Sequence, residues 1–543
     1  MRSRFLAALA GSVLVGSLIA CGTATPPPPA VTAPKLLVVL VVDQMRFDYI
    51  ARMDQRWTRG FRRLLDEGAL FTEARYPYLN TVTCAGHSTI GTGTFPATHG
   101  VFLNEWWSRE RGRRIACTDD GVSQPVSYAS LPEPTGHGAG LQQVPTLADR
   151  LRERSPGSRV VTLSMKARSA VMLAGHGGTA VTWFGDNDNW ATSTQYTETL
   201  VPEVKDFVDQ HPVAADQDAV WDRVLPADTY TGADDGVGER PKKGWTATFP
   251  HPLAGAPGTP DTQYLTLWRR SPFSDAYLGR MAAALVERFG LGRGDSPDLL
   301  GVSFSALDYV GHDFGPDSQE VQDTLLRLDE TIGTLLDALD RQVGRGNYAV
   351  ALSADHGVAP IPEAQAGNAG RVPPAAIAAA VNDALADLGP GPHVADVDYT
   401  NVYFTTRTRE ALAAAPGARE RAMAAVGALP GVARVLDATG LGTGRDSADP
   451  VVRAAAFSYV PGRSGDLIVV PREGWVLSSS DATTHGSLYE YDQHVPVLLA
   501  GPGLAPGRYA APASPADIAP TLGALVGLVL PGTEGHVLTT AAP

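Results

Sequence analysis

Residues Lys35 to Asp43 read KLLVVLVVD, an unbroken run of Leu and Val that stops at a single carboxylate. Apolar and polar residues would alternate along a strand with one wet face. A short continuous run rich in branched side chains instead suits a strand buried on both faces of a largely parallel sheet. The pattern recurs. RVVTLSMKAR leads to Lys166 and Arg168, PDLLGVSFSALDYVGHD to Asp308 and His312, and NYAVALSADHG to Asp355 and His356, with VPVLLAGPG supplying a further run near the C-terminus. Between them lie helical patterns: WTRGFRRLLDEG, PTLADRLRERS, YLGRMAAALVERFG and SQEVQDTLLRLDETIGTLLDALDRQ. This alternation predicts an α/β fold, a mostly parallel central sheet with helices on both faces. In such sheets ligands bind beyond the carboxyl ends of the strands, where these Asp, His, Lys and Arg residues fall.

Two stretches break the rhythm. Residues from about 184 to 275 are rich in Asp, Pro, Gly, Thr and Trp, and residues from about 362 to 475 mix Ala-rich helices with the strand-like VDYTNVYFTT. Both are expected to be cap insertions above the sheet edge within one domain spanning 35–543. Trp183, Phe184 and Trp190 are candidates for an entrance, with core packing the commoner role for such residues. Several Asp residues of the first insertion are candidate Ca²⁺ ligands, although none lies in an EF-hand pattern.

The first 20 residues carry Arg2 and Arg4 ahead of an apolar run, then Leu18-Ile19-Ala20-Cys21, which resembles a bacterial lipoprotein signal. The expectation is an exported protein on the periplasmic side of the envelope, attached to the membrane through a lipidated Cys21 and a Pro-rich tether (21–34). A plain secretion signal is the alternative. Export leaves Cys84 and Cys117 as an even pair in an oxidising compartment, so a Cys84–Cys117 disulfide is expected. The net charge of −14 argues against a general nucleic-acid binder, and no specific nucleic-acid partner is expected.

Asp308-x-x-x-His312 and Asp355-His356 each set a carboxylate and an imidazole just past a strand. Asp43 adds a third carboxylate and His485 a third imidazole. Zinc accepts both donor types. Six such groups are too many for one tetrahedral ion and suit two, about 3.5–4 Å apart, serving the attacking and leaving oxygens of an in-line displacement.

The stretch TVTCAGHSTIGTG, residues 81–93, packs hydroxyls, a thiol and an imidazole together without one formally charged side chain. Thr83-Cys84-Ala85-Gly86-His87-Ser88-Thr89, TGTFPATHG ending at Gly100, Asn104, Lys166-Ala167-Arg168, Asp308 with His312, Asp355-His356-Gly357 and His485-Gly486 together resemble the alkaline phosphatase superfamily. They resemble most its exported threonine-nucleophile phosphomonoesterases, from about Leu36 to residue 527. The resemblance implies Thr83 as nucleophile, forming a covalent phosphothreonine, and as a ligand of one zinc together with Asp43, Asp355 and His356. It implies Asp308, His312 and His485 as ligands of a second zinc at the leaving group. Asn104, Lys166 and Arg168 would hold the phosphoryl oxygens.

A metal-activated hydroxyl needs no local base, which accounts for the missing charges around Thr83. AGHSTIGTG is expected to begin a helix, with Thr83 near its anion-favouring N-terminus and Ser88 and Thr89 bonding locally. His87, His99 and His176 are expected to be structural. The Cys-x-Pro-x-Arg pattern of the related sulfatases is absent. Lys166 and Arg168 suit the dianion of a monoester, so the expected activity is zinc-dependent alkaline phosphatase action on small phosphorylated substrates. A phosphodiesterase or nucleotide pyrophosphatase is the second reading, and a non-catalytic phospholigand-binding lipoprotein the third.

Overall fold

The computed structural model describes residues 32–128, 133–185, 189–255 and 263–540. The N-terminal signal and Cys21 therefore lie outside the described residues. Leu36–Val42 forms the first strand, β1, and every residue of it is buried. Its side chains divide between two cores: Leu36, Val38, Leu40 and Val42 enter one, and Leu37, Val39 and Val41 the other. The continuous apolar run thus reflects two packed faces, each fully buried Val or Leu contributing about 1.5–3 kcal/mol.

The main sheet has ten strands. In chain order they are β1, β2 (Ala69–Ala74), β3 (Pro125–Ser127), β4 (Val160–Ser164), β5 (Ala180–Phe184), β6 (Trp190–Ser193), β7 (Asp298–Phe304), β8 (Tyr348–Ser353), β9 (Val497–Ala500) and β10 (Gly507–Ala513). Their spatial order is β10-β2-β9-β8-β1-β7-β4-β5-β6-β3. The five central strands β8-β1-β7-β4-β5 are all parallel. Two strands run the other way. The VPVLLAGPG run forms β9, antiparallel to both neighbours, and β6 is antiparallel to β5 and β3. Burial on both faces gives the same continuous pattern in either direction, so the run does not encode its sense.

Each of the four helical patterns contains a helix: Gly60–Glu67, Leu147–Arg154, Pro272–Phe289 and Gln319–Gln342. The last begins where the Ser318 side chain accepts from Val321 N–H at 3.1 Å, satisfying a free helical donor. The polar stretch after residue 184 does not leave the sheet at once, since β6 forms a hairpin with β5. Trp183, Phe184 and Trp190 are core residues, 0%, 2% and 2% exposed. Within 362–475 a separate four-stranded antiparallel sheet forms from Val394–Asp398, Asn401–Phe404, Leu467–Pro471 and Val432–Asp437, with its own apolar cluster.

Helix α1, Thr83–Thr92, is buried along its entire length and ends at Gly93, whose φ of 71° is the left-handed stop that glycine supplies. Its position demands close backbone approach. A Cβ on Gly86 would lie 2.1 Å from the carbonyl oxygen of Asp355. Cys84, on the same turn, is disulfide-bonded to Cys117, as expected.

Two outcomes follow. Gly86→Ala forces α1 away from the end of β8, and overpacking of this kind costs about 1–3 kcal/mol; a lowered urea midpoint, with an activity loss larger than that of Gly440→Ala, checks it. A Cys84→Ala/Cys117→Ala double variant opens the bridge and loses roughly 2–4 kcal/mol, read as a lower urea midpoint with a larger m-value, because the unfolded chain is no longer crosslinked.

Candidate metal and active site

The carboxyl ends of four neighbouring parallel strands deliver the site. Asp43 follows β1, Lys166 follows β4, Asp355 follows β8, and Asp308 lies in the first turn of helix α2 (Ala306–Phe314) after β7. Thr83 opens α1 directly opposite, where unpaired helical N–H groups favour an anion. His485 arrives from the loop before β9.

Two buried groups of side chains converge closely enough to hold a metal ion: Asp308 with His312 and His485, and Asp43 with Asp308 and His356. The first is the set expected for one ion. The second contains two residues of the other expected set, with Asp308 common to both groups. Asp355 belongs to the same cluster. From His356 Nε2 the distances are 3.4 Å to Asp355 Oδ2, 3.5 Å to Asp43 Oδ1 and 3.5 Å to Thr83 Oγ1. Ligands placed tetrahedrally 2.0–2.1 Å from a zinc ion lie about 3.3 Å from one another. Asp43 Oδ1 and Asp355 Oδ2 are buried without a hydrogen-bond partner, an arrangement that calls for a cation. The residues present therefore fit a pair of metal ions. Among the described residues no comparable group forms in the first insertion.

The imidazoles are set as ligands. His356, His312 and His485 each direct Nδ1 at a backbone carbonyl, of Gly357 at 2.9 Å, Thr483 at 2.9 Å and Thr81 at 2.8 Å. Donation there leaves the Nε2 lone pair facing the cluster. Burial, then the neighbouring imidazoles of His356 and His312, pushes His485 well below its ordinary pKa, and burial lowers His356. Both are neutral. For His312 burial also acts downward, but the charge and hydrogen bond of Asp308 outweigh it and raise the pKa.

Burial and the charges of Asp308 and Asp355 push Asp43 well above the usual carboxylate range. Lys166 answers this crowding. Its Nζ lies 2.6 Å from Asp43 Oδ2 and 2.5 Å from Asp308 Oδ2, so the ammonium sits between carboxylates of both groups. Lys166, Arg168 and Asn104 line one cavity of about 270 Å³, together with Phe184 and Tyr309. Asn104 Oδ1 accepts from Cys84 N–H at 2.8 Å, which leaves its amide NH₂ as the group free to donate. The disulfide thus fixes Asn104 beside the first turn of α1.

Two supporting residues, Gln44 and Asp275, escape sequence reading. Gln44 takes a left-handed φ of 70°; its N–H donates to Asp355 Oδ1 at 3.1 Å and its side-chain amide to Asp308 Oδ1 at 2.8 Å. Asp275 accepts from Ser305 and Ala306 N–H at 2.9 and 3.2 Å, holding the start of α2. His87, expected to be structural rather than a ligand, belongs to neither metal group and contacts Thr83 O at 2.9 Å, Asp355 Oδ2 at 3.3 Å and Ser303 Oγ at 2.8 Å. Only adjacency to Asp43 hinted at Gln44, and nothing in the sequence marked Asp275. His99 and His176 lie outside the cluster: His99 contacts Thr89 and His176 contacts Asp149.

Residues 37–495 match the type I phosphodiesterase / nucleotide pyrophosphatase family. Alkaline phosphatase PafA of Elizabethkingia meningoseptica is 32% identical over 534 residues, covering 94% of this chain and 95% of that protein. Alkaline phosphatase PhoV of Synechococcus elongatus is 31% identical over 533 residues, 94% of each. The crystal structure of wild-type PafA superposes with a TM-score of 0.86 over 94% of this chain and 99% of that one, at 32% identity. A PafA variant changed at one Thr, one Asn, one Lys and one Arg superposes at 0.85, with the same identity and coverage. With this length of match and this arrangement of strands and donors, the chain belongs to the type I phosphodiesterase / nucleotide pyrophosphatase family of the alkaline phosphatase superfamily.

Proposed function

We propose that the protein is an alkaline phosphatase: a metal-dependent phosphomonoesterase using Thr83 as nucleophile and zinc in both metal positions. The observation that carries this reading is the convergence of Thr83 Oγ1, Asp43 Oδ1 and Asp355 Oδ2 on His356 Nε2, at 3.4–3.5 Å, beside the Asp308–His312–His485 group. The relatives named alkaline phosphatases support it. So does the PafA variant, whose four altered positions are spaced along its chain as Thr83, Asn104, Lys166 and Arg168 are here.

Thr83 Oγ attacks phosphorus, the bond to the alcohol oxygen breaks, and a phosphothreonine forms; water then attacks phosphorus and releases phosphate with Thr83 restored. Bound to the two groups, divalent cations supply the positive charge that favours a deprotonated hydroxyl and a departing oxygen. The N-terminus of α1 adds N–H dipoles around the same anion. Asn104 NH₂ and the Arg168 guanidinium donate to the non-bridging oxygens from the shared cavity. With cations held by Asp43 and Asp308, the Lys166 ammonium between these carboxylates would have charge to offer a phosphoryl oxygen. Two cationic side chains suit the dianionic monoester, whereas a diester carries one negative charge fewer; this favours the phosphatase over the phosphodiesterase reading. The insertions at 184–275 and 362–475 are read as caps, and the disulfide suits work outside the cytoplasm, with Cys21 as the proposed lipid anchor.

Purified mature protein should hydrolyse p-nitrophenyl phosphate faster than bis-p-nitrophenyl phosphate, lose activity on chelation and regain it with zinc; a persistent diester preference would sink the monoester reading. Thr83→Ala should lower multiple turnover at least a thousandfold, on the order of what loss of a nucleophile costs, while metal analysis stays near wild type. Replacing Lys166 and Arg168 with Ala together should penalise the monoester more than the diester, and equal losses would show that the pair does not read charge.

A further inference from the structure

Among the described residues, two that are not glycine hold a left-handed backbone: Gln44 at φ 70° and Tyr399 at φ 46°. Gln44 lies within the metal cluster. Tyr399 belongs to the tip of the hairpin between Val394–Asp398 and Asn401–Phe404, in the separate sheet, yet it reaches the same place. Residues with a Cβ persist in this conformation where surrounding structure enforces it, and such positions cluster at functional sites.

Three neighbours enforce it here. Thr400 Oγ1 donates to Asn80 Oδ1 at 2.6 Å, joining the tip to the loop before Thr83. Val469 N–H donates to Thr400 O at 2.7 Å. Arg114 forks onto Asp396 at 3.0 and 2.7 Å and reaches Asp398 at 3.3 Å, from the small hairpin that follows Asn104. The Tyr399 ring lies against Gly486, where an added Cβ would come within 2.9 Å of it, and its centroid is 6.3 Å from that of His485. The side chain is only half-buried. Among the described residues its hydroxyl has no hydrogen-bond partner.

We propose that Tyr399 is a further substrate-contacting residue, whose hydroxyl donates a hydrogen bond to the departing ester oxygen of a bound phosphate monoester. The assignment rests on the phosphatase reading above, in which His485 belongs to the leaving-group side. A neutral phenol donates one hydrogen bond. A neutral donor matters most when the departing oxygen carries most charge, so alkyl esters should depend on it more than aryl esters.

The test compares wild type, Tyr399→Phe and Tyr399→Gly as full-length mature protein on methyl phosphate and p-nitrophenyl phosphate. Tyr399→Phe keeps the ring; its kcat/KM should fall about tenfold or more on methyl phosphate and about threefold on p-nitrophenyl phosphate, with metal content and Tm unchanged. Tyr399→Gly, which relieves the left-handed backbone but gives up the ring's packing against Gly486, should lose the same rates. Equal losses on the two esters, wild-type rates in Tyr399→Phe, or a rate loss that tracks lost metal would each overturn the proposal. Wild-type protein that cleaves neither monoester would instead defeat the phosphatase reading itself.

Discussion

Three carboxylates, Asp43, Asp308 and Asp355, are buried together at the ends of neighbouring strands, and the rest of the site answers that concentration of negative charge. Removing a carboxylate from water costs several kcal/mol unless positive charge and hydrogen bonds replace the solvent. Lys166 supplies charge to two of them. Gln44 and His87 supply hydrogen bonds or ring contacts to Asp308 and Asp355. Even so, one oxygen each on Asp43 and Asp355 accepts no hydrogen bond. A site built this way is organised around cations.

The same constraint explains why the scaffold is rigid there. Three imidazoles direct Nε2 inward because backbone carbonyls of three different loops hold Nδ1. Helix α1 must lie against the Asp355 backbone, which leaves no room for a side chain at position 86. The disulfide and the Asn104–Cys84 hydrogen bond tie the following hairpin to the helix that carries Thr83. The candidate metal donors, Thr83 and the cavity-lining Asn104, Lys166 and Arg168 are thereby held by separate elements that cannot shift independently. The separate sheet joins this arrangement through Thr400 and Asn80, which brings Tyr399 to the rim.

Much of this was legible in the residues themselves. KLLVVLVVD announced a strand buried on both faces, because only such a strand can afford no polar position along its length. Pairs such as Asp355-His356 and Asp308-x-x-x-His312 announced metal chemistry, since adjacent residues or one helical turn bring their side chains to one place. Each inference used interactions local in sequence.

What only the tertiary structure decided involves partners hundreds of residues apart. The direction of β9 depends on which strands flank it, and an apolar run looks alike in either sense. That Asp308 belongs to both metal groups, and that Lys166 rests between carboxylates from two strands, follows from strand order rather than spacing. Gln44, Asp275 and Tyr399 carry no motif, because their roles come from where the backbone places a single amide, carboxylate or phenol. Local periodicity determines which faces are buried, whereas the meeting of charges is settled when the sheet assembles.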